Sequence, residues 1–149
     1  MHLSRRKAVV LLTMALVACH EGTAPKTISA GFRLNDINGR LLPTYQAPTP
    51  GITVTVLGGS LTLEPTGLAT MIEEREQPDG TPFVLAGSYT YQINGNDVSF
   101  TRSRPCPIEF DCLPTPHGTI SPVTGALALQ VGQFGTTPII YNFAPLLLD

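Results

Sequence analysis

The sequence predicts an all-β domain, an antiparallel up-and-down meander of about eight strands that closes into a barrel, with a two-sheet β-sandwich as the alternative. Three observations carry this. Apolar residues alternate with polar ones at a period of two along most of the chain. Fourteen Gly and fourteen Pro punctuate that alternation at short intervals, in a chain that is still 42% hydrophobic and so able to fill a core. Beyond the first eighteen residues, no window shows the apolar spacing of a long helix.

The elements follow in order. Gly31 to Ile37 places Phe32 and Leu34 on one face, and Asn38-Gly39 turns the chain. Leu41-Leu42-Pro43 leads into a Pro-rich loop, Thr44 to Pro50. Ile52, Val54 and Val56 alternate with threonines, Gly58-Gly59 reads as a turn, and Ser60 to Glu64 returns. Pro65-Thr66-Gly67 turns again, into a strand from Leu68 to Glu76. Gln77-Pro78-Asp79-Gly80 follows, then one long strand from Pro82 to Ile93 with Gly87 as a bend or bulge. Tyr89, Tyr91 and Ile93 share a face. Asn94-Gly95-Asn96 is a hairpin turn, because Asn and Gly tolerate positive φ, and Val98 and Phe100 face the same way as the tyrosines. Arg102 to His117 is a long loop. Gly118 to Ser121 and Ala126 to Val131 form a hairpin, and Pro138 to Phe143 is the last strand.

The first eighteen residues are of another kind. Met1 to Lys7 is short and basic, with Arg5, Arg6 and Lys7 together, and Ala8 to Val17 is almost wholly apolar. This is the charged and apolar order of an export signal. At about ten residues the apolar run is too short to span a bilayer as a helix. Leu16-Val17-Ala18-Cys19 resembles the bacterial lipobox. That resemblance implies acylation of the Cys19 thiol, cleavage before it, and attachment to a membrane by several acyl chains. The chain then divides into a signal peptide, 1–18, a lipidated anchor and tether, 19–30, and one β domain, 31–149. His20 stands where an aspartate would favour inner-membrane retention in enteric bacteria, so the expected site is the outer membrane, facing the periplasm.

Charge narrows the partners. Three of the nine basic residues lie in the signal and none of the eleven acids do, leaving the mature chain six basic against eleven acidic, a net charge of −5. Nucleic acid requires a basic footprint and is not expected as a partner. Cys106 and Cys112 remain once Cys19 is set aside, and an exported chain meets an oxidising space, so a disulfide between them is expected. A metal site of Cys106, Cys112 and His117 is the weaker reading, lacking a paired Cys-x-x-Cys and a fourth ligand.

The mature chain resembles the bacterial lipocalin-like lipoproteins in three stretches: Phe32 to Pro43, with its aromatic, alternate Leu and Asn-Gly; the central hairpin from Gly87 to Phe100; and the late hairpin from Gly118-Thr-Ile through Gly125-Ala-Leu-Ala-Leu129. The resemblance implies a barrel with a binding cavity and no catalytic residues. The Pro-rich loop and the cysteine loop stand outside the pattern, and the chain has no Trp.

Catalytic signatures are sparse. The sequence contains neither Gly-x-Ser-x-Gly nor Gly-x-x-x-x-Gly-Lys. Glu73-Glu74-Arg75-Glu76 is the densest charge run. On a strand it places Glu74 and Glu76 on one face and Glu73 and Arg75 on the other, and it reads as a solvated strand end. Tyr89, Tyr91 and Phe100 are the candidate ligand-lining residues, though their spacing with Ile93 equally suits core packing. The expectation is a lipid-anchored, non-catalytic barrel without cofactor or metal, holding a small apolar or amphipathic ligand. The alternative is a filled barrel that presents its loops to an envelope protein.

Overall fold

The structure is a computed structural model that describes residues 25–49, 52–104, 115–134 and 136–146. The expected signal peptide, Cys19 and the expected Cys106–Cys112 disulfide lie outside the described residues.

The described residues form ten strands: β1 (Ala30–Ile37), β2 (Arg40–Leu41), β3 (Thr44–Thr49), β4 (Ile52–Leu63), β5 (Leu68–Glu76), β6 (Pro82–Asn94), β7 (Asp97–Arg102), β8 (His117–Ile120), β9 (Leu127–Phe134) and β10 (Thr137–Pro145). From β4 to β10 each strand pairs antiparallel with the next, and β1 pairs with both β10 and β4. That double pairing closes an eight-stranded up-and-down barrel and excludes the sandwich, which would leave two open sheets. Ala30 to Arg33 lie beside Leu63 to Ser60, while β3 continues along the same edge of β4, Thr44 beside Val56. Between them the chain makes a short excursion through β2 and a cis Leu42-Pro43 bond.

Inward-facing apolar side chains fill the core. Val56, Leu61, Leu63, Ala69, Met71, Tyr89, Tyr91, Val98, Leu127, Leu129, Tyr141 and Phe143 are all buried. Two bulges explain where the alternation changes phase. An extra residue at Leu57 shifts the buried set of β4 from Val54 and Val56 to Leu61 and Leu63. Another at Asn35 shifts that of β1 from Phe32 and Leu34 to Ile37.

The turns match their residue chemistry. Asn38 and Gly39 both have positive φ, 51° and 76°, the pattern of a type I′ hairpin. Glu64 to Leu68 and Gln77 to Thr81 are built alike: a Pro follows the first residue, and a Gly at positive φ returns its amide to that residue's carbonyl, at 3.0 Å for Gly67 and 2.9 Å for Gly80. The Asp79 carboxylate accepts the Thr81 amide in the second turn, and that bond holds it below the ordinary carboxylate range.

Four expectations are corrected. The Pro-rich segment from Thr44 is strand β3, which accommodates Pro48 because it is an outer strand whose register with β4 shifts between Gln46 and Thr49. Gly58-Gly59 is not a turn: β4 runs straight through it. A Cβ on Gly59 would lie 2.9 Å from the Ile72 carbonyl and 3.3 Å from Leu34, so close approach, not chain reversal, requires that glycine. Gly87 carries no bulge, for β5 and β6 stay in register past it, and its place is taken by the Tyr89 ring. Lastly, Glu73 and Arg75 are not a solvated strand end. The face assignment holds, but their face is the barrel interior, where they are 1% and 5% exposed. Each satisfies the other's charge there, which makes burial tolerable.

Candidate functional site

The two ends of the barrel differ. At one end, the last part of the segment expected to be a tether lies across the opening. Lys26 pairs with Ile93 through two backbone hydrogen bonds, of 2.9 and 3.2 Å. Thr27 donates its hydroxyl to the Pro65 carbonyl. The Tyr91 hydroxyl accepts the Ile28 amide at 2.7 Å and is within donating distance of the Ile28 and Glu64 carbonyls, at 2.6 and 2.8 Å. Burial pushes the Tyr91 phenol pKa upward, and the Glu64 charge adds to this. Of the three aromatic residues expected to line a cavity, Tyr91 therefore latches this end. Phe100 packs between the tyrosines, with ring centroids 5.9 Å from Tyr89 and 6.3 Å from Tyr91.

Toward the other end, the mouth, the interior turns polar. Inward-facing Glu73 and Arg75 on β5 form a buried ion pair, Arg75 Nε donating to Glu73 Oε1. From β10, the Tyr141 hydroxyl donates to Glu73 Oε2 at 2.6 Å. Burial pushes the Tyr141 phenol well above its ordinary range, and the neighbouring carboxylate pushes it further. Burial alone would lower the Arg75 pKa, but Glu73 and Tyr141 outweigh it and hold the guanidinium above its ordinary value. Among the described residues no buried side-chain nitrogen or oxygen lacks a hydrogen-bond partner.

Tyr89 extends this layer. A Cβ built on Gly87 would lie 2.4 Å from the Tyr89 hydroxyl, so the ring folds back toward the mouth over the glycine, filling the space a side chain would take. Arg102, the cross-strand partner of Tyr89, places its guanidinium carbon 5.5 Å from the ring centroid, within cation–π range. The phenol of Tyr89 is raised by burial, partly offset by Arg102 and reinforced by Glu73. The layer thus reaches from Arg102 on β7 through Tyr89 and the Glu73–Arg75 pair to Tyr141 on β10. Nearer the rim, Phe83, Leu85 and Ile139 are only half buried, and by strand alternation Phe83 and Leu85 face inward.

Sequence reasoning placed Tyr89 correctly on the inner face but missed Glu73, Arg75, Tyr141 and Arg102. Charge on β5 resembles a solvent-facing strand, and Tyr141 lies 68 residues from its carboxylate partner. His117 is exposed at the start of β8, and the cysteines that would share a metal with it lie outside the described residues. Among the described residues the outer wall carries two shallow depressions. One, of about 460 Å³, lies where β1 leaves β4, between Arg33, Leu41, Leu57 and Glu74. The other, of about 380 Å³, lies beside Asp36 and Asn142.

This end of the barrel therefore combines a polar layer, half-buried apolar residues beside it and one guanidinium at the side. No protein-family model, curated protein or solved structure matches this chain, so its site is read from its own residues.

Proposed function

We propose that this chain is a bacterial envelope lipoprotein, anchored through lipid on Cys19, whose barrel is a non-catalytic module that binds a small apolar or amphipathic ligand at its mouth. The observation that carries this is the contrast between the two barrel ends. One is latched by Lys26 to Ile28, while at the other half-buried Phe83, Leu85 and Ile139 lie beside a polar layer. That layer limits depth: a ligand reaching the tyrosine cluster would have to separate a buried ion pair. The network also supports a non-catalytic reading, because both Glu73 oxygens already accept hydrogen bonds.

Anchoring and barrel polarity support each other. Lys26 lies at the latched end, seven residues after Cys19, so the connection spans at most about 25 Å. The mouth then faces away from the bilayer, into the periplasm if the outer membrane is the site. On this reading Cys106 and Cys112, six residues apart in the sequence after β7, are joined by a disulfide in the oxidising space outside the cytoplasm.

Native mass spectrometry of protein extracted gently from membranes tests binding, and a reproducible small-molecule adduct is expected. Cys19→Ser should release the protein from the membrane fraction. Intact mass should fall by two hydrogens relative to the reduced chain. Repeated adduct-free spectra would leave the second reading, a filled envelope barrel that presents its rim to a protein partner. The satisfied interior favours that reading. It predicts a reproducible cross-linked partner that is lost on deletion of the loop between Arg102 and His117.

A further inference from the structure

In an antiparallel meander alternate connections open at the same end. The end crossed by Lys26 therefore also carries the β4–β5, β6–β7 and β8–β9 turns, and the last residues of β10 beside the start of β1. Three exposed large apolar side chains stand there. Val123, in the β8–β9 turn, is 90% exposed, and Leu68, which opens β5, is 46% exposed. Leu146, just past β10, is 48% exposed and opens a run of three leucines in the sequence. They are spaced around the rim, not gathered on one side. The backbone holds them in place. The Ser121 amide donates to the Ala126 carbonyl at 2.7 Å and the Gly125 amide to the Ser121 carbonyl at 2.9 Å, which braces the turn that carries Val123. The Leu146 amide donates to the Gly31 carbonyl at 2.8 Å.

Single exposed apolar residues are ordinary on a protein surface, whereas a set of them around one end marks a contact. What it contacts follows from the anchor. Lys26 lies seven residues after Cys19, so lipid on that cysteine holds this end within about 25 Å of the bilayer. Among the described residues, the tether and turns here carry one cation, Lys26, and two carboxylates, Glu64 and Asp97. That balance gives no attraction to anionic lipid. The attraction available is apolar burial, which is indifferent to head-group charge.

We propose that the latched end is a lipid-contact surface: Val123, Leu68 and Leu146 settle into the boundary between head groups and acyl chains of the bilayer that holds Cys19. This rests on the reading of Cys19 as the lipid anchor. The contact fixes the barrel upright and removes orientational freedom that the tether alone would leave. Apolar faces enter that boundary to a depth of about 5–10 Å. Val84, at about 3.3 Å per residue, lies about 30 Å along β6 from Asn94 and stays in water.

The chain contains no Trp, so a single introduced Trp is an unambiguous reporter. V123W and L68W report on the latched end and V84W, at an exposed position toward the mouth, is the control. Each full chain is purified from membranes with its lipid, checked for acyl mass on Cys19, and reconstituted into phosphatidylcholine vesicles with and without phosphatidylglycerol. In V123W and L68W, emission should shift to the blue and be lost to a lipid brominated near the head of its acyl chains, while acrylamide in the water has little effect. V84W should behave in the opposite way, which excludes insertion driven by Trp itself. Added phosphatidylglycerol or salt should leave the quenching unchanged. An acylated chain in which acrylamide quenches V123W and L68W as fully as V84W would overturn the lipid contact while the anchor stands. Blue-shifted emission untouched by brominated lipid would overturn it in favour of a protein over this end, such as a second copy. Lipid quenching that requires phosphatidylglycerol would overturn its apolar basis. Absence of acyl mass on Cys19 would overturn the anchor reading and this inference with it.

Discussion

Tyr141 and Glu73 meet inside the barrel: the phenol of β10 donates a 2.6 Å hydrogen bond to a carboxylate on β5 that is also paired with Arg75. The bond links two strands that are not neighbours in the sheet. It makes the polar layer a cross-brace as well as a floor.

Removing one partner of such a pair leaves a charge buried alone, a loss of about 3–5 kcal/mol. Arg75→Leu and Glu73→Leu should each lower stability by about that amount in urea denaturation, and the double variant by clearly less than their sum. Strict additivity would mean that the pair is not coupled. Tyr141→Phe should lose about 1–2 kcal/mol, the cost of depriving a buried acceptor of its donor.

The same network sets an alkaline limit. Tyr89, Tyr91 and Tyr141 all have phenols raised above the ordinary value. Below about pH 10 they are protonated in the folded and unfolded chain alike, and their contribution is complete. Above it the unfolded phenols ionise first, so stability falls as pH rises toward the folded values. Absorbance at 295 nm should show three of the four tyrosines ionising only as circular dichroism reports unfolding. Early ionisation of all four in the intact fold would contradict their burial.

Two glycines should respond very differently to alanine. A Cβ on Gly118 would lie 1.8 Å from the Ala128 carbonyl oxygen, a backbone collision that side-chain motion cannot relieve. Gly118→Ala should lose about 3 kcal/mol or misfold, as overpacking does at its upper range. Gly95, at φ 62° with open space around it, should lose only about 1 kcal/mol, the left-handed backbone penalty. Thermal melts of both variants decide it.

The latched end provides a kinetic readout. Tyr91→Phe removes the hydroxyl that accepts the Ile28 amide. Hydrogen exchange at Ile28 should accelerate strongly, that at Lys26 and Ile93 less, and that at Leu129 in the core hardly at all. Unchanged protection at Ile28 would show that the segment stays closed without the phenol.

Much of the β pattern was legible because its signals are local. Leu68 to Glu76, the Tyr89-Tyr91-Ile93 face and the Asn94-Gly95-Asn96 turn depend on alternation and on turn residues a few positions apart. Gly58-Gly59 misled for a matching reason: a glycine pair between two apolar runs has the local signature of a turn, and nothing nearby in sequence reveals Leu34 packed against it.

From its sequence alone this chain determined most of its strands and most of its turns. Each of these is set by side-chain chemistry within a short window. Tertiary structure alone decided closure, because only the pairing of β1 with both β10 and β4 separates a barrel from a sandwich. It also decided which face of β5 is dry. Alternation sorts Glu73 and Arg75 from Glu74 and Glu76, but a charged face belongs inside only when a phenol such as Tyr141 crosses the barrel to meet it.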